Sequence, residues 1–341
     1  MKLATIRNGT RDGRLAIVSR NLTRYTDAAF LAPNLQAALD DWHRIAPHLA
    51  TLAESLELGS VPAERFHEHE AMAPLPRAHL WADGSAFPSH MELMRKGRNQ
   101  PLPQNHLSDP LMYLGAPDAL LGAREPVPAI SEAWGIDLEA ELAVITDDVP
   151  IGISAKAALD HVRLIVLVND VSWRSLSTKE LAKGFGFCQS KGPTGFSPVA
   201  VTPDELGTAW SGGKLALPLL VHVNGKVLGN ADAGKDMAFD FGQLIAHAAK
   251  TRSLGSGAII GSGTVSNRGE EGSDGKTVAQ GGAGFSCLSE LRMVQTLAAT
   301  KPLTPWLSFG DTIRIEMKDA RNQSIFGAIE QKIEQVAASR G

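Results

Sequence analysis

The sequence predicts a mostly β fold with α+β elements, on three observations. Short apolar runs recur between turns rich in Gly, Pro, Asp and Asn, which is the punctuation of strands. Asn224-Gly225 separates two such runs by two residues, a strong hairpin signal. Glycine supplies 33 of 341 residues, above the usual ~7%, while aromatic residues make up only 6%.

In chain order, Lys2–Arg7 and Leu15–Ser19 read as the first strands. Leu35, Leu39, Trp42, Ile45, Leu49, Leu52 and Leu56 then recur every three or four positions, an amphipathic helical period. Pro47 is expected to divide this stretch into two helices, because proline interrupts the hydrogen-bond ladder. The connector Ala71-Met-Ala-Pro-Leu-Pro marks a boundary, so residues 1–72 are predicted to form a small N-terminal α+β domain and 73–341 the larger one. In the larger domain the strand candidates are Ile136–Thr146, Leu164–Val168, Leu217–Val223, Ile259–Ile260, Thr312–Met317 and Ser324–Ala328. The helices expected there are Ala155–Leu159, Gln243–Lys250 and a few short pieces, and Glu270–Gly284 reads as a long surface loop.

Composition excludes several classes. Hydrophobic residues at 43% and charged residues at 21% match a soluble globular chain, not a disordered one. No apolar run approaches the roughly 18 residues of a membrane span. The balance of 33 Lys+Arg against 37 Asp+Glu leaves a formal charge of −4 and no broad footprint for nucleic acid. Two cysteines, Cys188 and Cys287, cannot build a disulfide framework. With no apolar block of a secretory leader at the start, a cytoplasmic location is expected.

The informative short segment is Gly135–Ile145. On one strand Glu139 and Glu141 project from the same face, with Leu138, Ala140 and Leu142 on the other. Like charges this close repel unless protons or a cation intervene, and oxygen-only ligation suits Mg²⁺ or Ca²⁺ rather than zinc. Alone, two such acids are more often a solvent-facing strand surface. Asp170 changes the balance, because it ends the apolar run Leu164–Val168 and is costly there unless paired, capped or metal-bound. Asp83, in Trp81-Ala-Asp-Gly-Ser-Ala-Phe-Pro-Ser-His90, is a fourth candidate; singly, Asp83 and Asp170 could equally be turn formers or helix caps. The histidines show no HExxH spacing and so no zinc site.

Taken in order, these residues resemble the fumarylacetoacetate hydrolase family from about Asp83 to Glu330. The pattern is Asp83 with His90 seven residues on, Glu139-Ala-Glu141, and Asn169-Asp170 with Arg174. It continues with Lys191 ahead of Ser197-Pro198, Gly261-Ser-Gly-Thr264 and a downstream Glu290. The resemblance implies a fumarylacetoacetase-type mixed β-sandwich roll, usually a homodimer. Asp83, Glu139, Glu141 and Asp170 would hold Mg²⁺ or Ca²⁺, with Mn²⁺ also accepted by such oxygens. His90, oriented by Glu290 or alternatively by Glu92, would activate water. Lys191 would stabilise the departing enolate. Tyr113, Thr264 and Arg98 would contact substrate, with Arg95 the alternative to Arg98, while Arg174 would organise the loop after Asp170.

The activity implied is metal-dependent cleavage of a C–C bond in a β-diketo acid, fumarylacetoacetate of tyrosine and homogentisate breakdown being the first expectation. Acylpyruvate or fumarylpyruvate hydrolysis and oxaloacetate-type decarboxylation or isomerisation are the rivals on the same fold. A non-catalytic oxo-acid-binding protein is the alternative outside catalysis. Ser85 and Ser177 stand where fumarylacetoacetases carry an aromatic residue and a glutamine, so substrate identity is less determined than reaction type.

Overall fold

The computed structural model describes residues 1–118, 120–269 and 273–338. Two sheets carry the fold. The larger runs from edge to edge through Glu64–Arg65, Arg24–Asp27, Arg14–Val18, Lys2–Ile6, Ala200–Val201, Val162–Asn169, Ala140–Thr146, Ile259–Gly261, Trp81–Gly84 and Met112–Leu114. Thr194–Phe196 pairs beside Val162–Asn169 and brings Leu120–Leu121 with it. The smaller sheet runs Lys226–Asp232, Pro218–Val223, Thr312–Lys318, Ser324–Gln335 and Val127–Ala129. Its first pair is the expected hairpin: Val223 pairs with Lys226 across Asn224-Gly225, both at positive φ.

The two central strands, Ala140–Thr146 and Val162–Asn169, are continuously apolar over Leu142–Ile145 and Leu164–Val168 because both of their faces are covered there. Leu142, Val144, Ile165 and Leu167 pack in one core with Leu219, Val221, Ile313, Ile315 and Ile329 of the smaller sheet. Ala143, Ile145, Leu164 and Val166 pack on the opposite side with Leu3, Ile17 and the helical residues Leu35, Leu39, Ile45, Leu49 and Leu56. Each fully buried leucine or isoleucine contributes about 1.5–3 kcal/mol. The N-terminal residues are therefore tied to the rest twice, by this core and by Lys2–Ile6 pairing with Ala200–Val201.

Several expectations are corrected. The helical stretch breaks at Asp41, which has φ −135 and ψ 43, and not at Pro47; the second helix runs Trp42–Leu58 straight through the proline. Pro47 is exposed, so its ring lies on the solvent side and the helix loses one ladder bond while its buried stripe stays intact. The run Ile136–Thr146 is two strands, Ile136–Asp137 and Ala140–Thr146, with Glu139 in the gap. The cause is pairing: Ile136–Asp137 joins Ser172–Trp173 in a separate ribbon, whereas Ala140–Thr146 joins the large sheet. Three functional helices, Pro88–Gly97, Arg174–Leu181 and Leu288–Ala299, stand where only short pieces were expected. Part of the expected Glu270–Gly284 loop, residues 270–272, lies outside the described residues, and Val278–Gln280 forms a single 3-10 turn in the rest. Among the described residues, no helix is long and apolar enough to cross a membrane.

Candidate active site

Three strands of the large sheet, two of them separated by Ile259–Gly261, bring carboxylates to one end of it. Asp83 pairs in register with Gly261, and Gly261 with Ala143, two residues beyond Glu141. Asn169 pairs with Ala140, which leaves Asp170 just past the strand end, opposite Glu139, whose carbonyl accepts from the Asp170 N–H at 3.0 Å. Oxygens of Asp83, Glu141 and Asp170 all lie within 4.8 Å of one another, and the three residues are buried. Position 261 has to be glycine, because a Cβ there would collide with Asp83 Oδ1 and the Trp81 ring. Two residues on, the Gly263 N–H donates to Asp83 Oδ1 at 3.0 Å.

Burial raises the carboxyls of Asp83, Glu141 and Asp170 above their ordinary range, and repulsion from neighbouring carboxylates, Glu139 among them in each case, adds to it. Lys191 opposes the rise in all three. Glu141 Oε2 is buried with no hydrogen-bond partner. An orphaned carboxylate oxygen among two more carboxylates is the donor set of a hard divalent cation, so these residues fit one.

Glu139 differs from the other three. Its Oε1 accepts from Arg174 Nη2 at 2.7 Å and Thr264 Oγ1 at 2.7 Å. Its Oε2 accepts from Lys191 Nζ at 2.5 Å and Ser172 Oγ at 3.0 Å. Burial raises its carboxyl, but Arg174 and Lys191 together outweigh this and hold it well below the usual range. Glu139 therefore lies beside the three-carboxylate cluster as an ion-paired anchor for two cations. Lys191 Nζ also contacts Asp170 Oδ2 and sits 4.9 Å over the Tyr113 ring. The Tyr113 hydroxyl donates to Asp170 Oδ2 at 2.5 Å, and Thr264 is committed to the carboxylates, lying 3.5 Å from Glu141 Oε1.

The helix Pro88–Gly97 carries His90 across from this cluster. Its Nδ1 lies 3.0 Å from Glu290 Oε1 in the first turn of Leu288–Ala299. A carboxylate partner assigns the proton to Nδ1 and leaves Nε2 as the free base. Glu92 is elsewhere, accepting from Arg268 Nη2 at 2.7 Å, so the partner of His90 is Glu290.

A cavity of about 890 Å³ joins these groups: Asp83, His90, Tyr113, Glu139, Glu141, Lys191 and Thr264 line it, as do Arg95 and Arg98. Asp170 and Glu290 lie directly behind this lining, held by their partners. Ser85 and Ser177 also face the cavity. Arg98 meets no carboxylate among the described residues, and burial, with Arg174 and Arg95 nearby, lowers its pKa.

Asp137 is a supporting residue that the motif reading missed. It is fully buried, accepts from the Leu288 N–H at 2.8 Å and the Ser289 N–H at 3.0 Å, and pairs with Arg174 Nε at 2.8 Å. It thus joins the helix that carries Glu290 to the arginine that holds Glu139. The alternation that singles out Glu139 and Glu141 reaches Asp137 when continued two residues back. Asp137→Ala is expected to cost about 3–5 kcal/mol, because it leaves a buried guanidinium short of a partner; denaturant unfolding measures it.

Comparison with known proteins gives two family matches. Residues 79–334 match the model "Fumarylacetoacetate (FAA) hydrolase C-terminal", and residues 1–77 match "Fumarylacetoacetase N-terminal domain 2". A 2,4-didehydro-3-deoxy-L-rhamnonate hydrolase of Sphingomonas sp. (strain SKA58) is 31% identical over 175 residues, 50% of this chain and 57% of that protein. A mitochondrial oxaloacetate tautomerase of Xenopus laevis is 29% identical over 174 residues, 49% of this chain and 50% of that protein. The chain thus aligns with little more than half the length of these relatives. The structure of maleylpyruvate hydrolase from Sphingobium sp. SYK-6 in complex with manganese(II) ion and pyruvate shares the fold. It covers 98% of this chain and 99% of its own, with a TM-score of 0.63 and 17% identity.

Proposed function

The chain belongs to the fumarylacetoacetate hydrolase family, and from that premise we propose that it hydrolyses a C–C bond in a β-diketo acid, fumarylacetoacetate to fumarate and acetoacetate being the first candidate reaction. The observation that carries this reading is the pairing of His90 with Glu290 on the same cavity as the three-carboxylate cluster. Cleavage by water needs a general base, and tautomerisation or decarboxylation of an oxo acid does not need one acting on water.

Asp83, Glu141 and Asp170, with Glu139 beside them as the fourth carboxylate, would hold Mg²⁺, Ca²⁺ or Mn²⁺, the last being the ion of the maleylpyruvate hydrolase complex. Such a cation supplies polarisation of a chelating 1,3-dicarbonyl. The remaining work falls to side chains. His90 Nε2 takes a proton from water while Glu290 holds the ring in place and stabilises the imidazolium. Water oxygen bonds to the carbonyl carbon, the adjacent C–C bond breaks, and its electron pair passes to the departing enolate, which takes up a proton. Lys191, fixed by Glu139 and Asp170, places an ammonium next to that developing charge. Arg98 offers a cation to an anionic group at the far end of the substrate.

A second reading, oxaloacetate-type tautomerisation or decarboxylation, is supported by the name of the Xenopus relative. Product analysis separates the two. The hydrolase reading expects two carbon fragments from fumarylacetoacetate or from an acylpyruvate. Turnover of oxaloacetate alone, with no fragment from any diketo acid, contradicts it.

A further inference from the structure

Between the helix Arg174–Leu181 and Lys191 the chain makes a loop that forms one wall of the cavity, through Leu181, Ala182, Gly186 and Phe187. Phe187 packs edge-on against Tyr113 with ring centroids 5.2 Å apart, and lies 5.7 Å from Lys191 Nζ. A loop of this length with Phe185 99% exposed has little apolar burial to hold it. One side chain closes it. The Glu180 carboxylate accepts three successive backbone N–H groups, from Cys188 at 3.1 Å, Gln189 at 2.7 Å and Ser190 at 2.9 Å, and the Ser190 hydroxyl at 2.5 Å. Consecutive amides converging on one point form an anion-binding concavity, and here the chain fills it with its own carboxylate. The segment beyond is pinned on its other side, where the Trp173 N–H donates to Ser190 O at 2.8 Å and the Gly192 N–H to Val171 O at 2.8 Å.

We propose that Glu180 is a positioning residue for Lys191: by occupying the nest of amides 188–190, it fixes where the loop ends and so where the lysine ammonium stands against Glu139 and Asp170. The consequence for turnover rests on the hydrolase reading above; the consequence for the loop does not. Burial pushes the Glu180 carboxyl up, but Ser190 and the three amides outweigh this and hold it down to about 2, so it is ionised and filling the nest at neutral pH.

The nest gives a test that a merely structural glutamate would not pass. Glu180→Ala removes the anion and leaves the three amides facing a space large enough for formate. The expected result is a fall in kcat of about a hundredfold, the size of effect of misplacing a reacting group by about 1 Å, with metal content unchanged. Added formate should restore kcat in proportion to its occupancy. Hydrogen exchange at Cys188, Gln189 and Ser190 should be fast in Glu180→Ala, and slow again with formate. Glu180→Gln keeps the volume, blocks the space and should lose activity with no rescue by formate; it also supplies the answer if Glu180→Ala does not fold. Unchanged kcat in both variants, or amides still protected in Glu180→Ala without formate, overturns the proposal. If the unmodified protein cleaves no diketo acid while the amides still follow formate, the hydrolase reading fails and the closure of the loop by Glu180 stands.

Discussion

Glu141→Gln is expected to abolish divalent-metal binding and, at the same time, to raise the melting temperature of the metal-free protein. Both effects come from one arrangement. Glu141 is buried against Asp83 and Asp170, and its Oε2 has no hydrogen-bond partner. Without a cation, burial and the neighbouring carboxylates hold the three carboxyls up, so ionising them in the folded state costs free energy that the unfolded chain does not incur. An amide at 141 removes one charge and adds a donor aimed at its neighbours. It also removes the ligand. With metal at a hundred times its Kd, the unmodified protein should gain about 2.7 kcal/mol, and the variant nothing.

The sign with pH follows. Carboxyls raised in the folded state contribute stability below their unfolded pKa values, near 4, and that stability is lost as pH rises through the raised values. Metal binding reverses this, releasing protons, so affinity should weaken as pH falls. Calorimetry with and without Mg²⁺ checks both directions. A variant with normal metal affinity would remove Glu141 from the site.

His90→Asn is expected to lower kcat by about 10²–10⁴-fold, the usual contribution of a positioned general base, with metal affinity unchanged. Asparagine keeps a polar side chain near Glu290 but has no atom that takes up a proton near neutral pH. Glu290→Gln should cost less, because it removes only the group that orients and stabilises the imidazolium. If His90→Asn turned over fumarylacetoacetate at the unmodified rate, water activation by this pair would be excluded, and chemistry needing no water base would be the better account.

The large sheet and the carboxylate cluster were readable because they rest on local pattern and order. Apolar runs buried on both faces announce their strands, and Asp170 follows one such run while Glu141 opens another; Asp83, on the short strand Trp81–Gly84 that no apolar run announces, is placed only by its order in the family pattern. What escaped depends on partners far away in sequence. Glu139 leaves the strand because Ile136–Asp137 pairs with Ser172–Trp173, a choice made 35 residues downstream, as the Arg174–Glu139 contact shows. Pro47 is tolerated because it falls on the solvent side of its helix, opposite the stripe Trp42, Ile45, Leu49 and Leu56, a placement the period itself gives. The helix Leu288–Ala299 carries Leu288, Leu291, Val294 and Leu297 at helical spacing, yet buries only Leu288, Ser289 and Glu290, so its function rests on its first turn and not on an apolar face. Glu180 has no motif at all; three main-chain amides give it its role, and these appear only once the loop is folded.

The most direct measurement is the rate of fumarylacetoacetate consumption with chelator, and again with Mg²⁺ restored, with fumarate and acetoacetate measured as products. We expect turnover that chelator removes and Mg²⁺ returns, with the two products in equal amounts. Turnover that survives complete removal of metal would contradict the assignment of Asp83, Glu141 and Asp170 as the centre of the reaction.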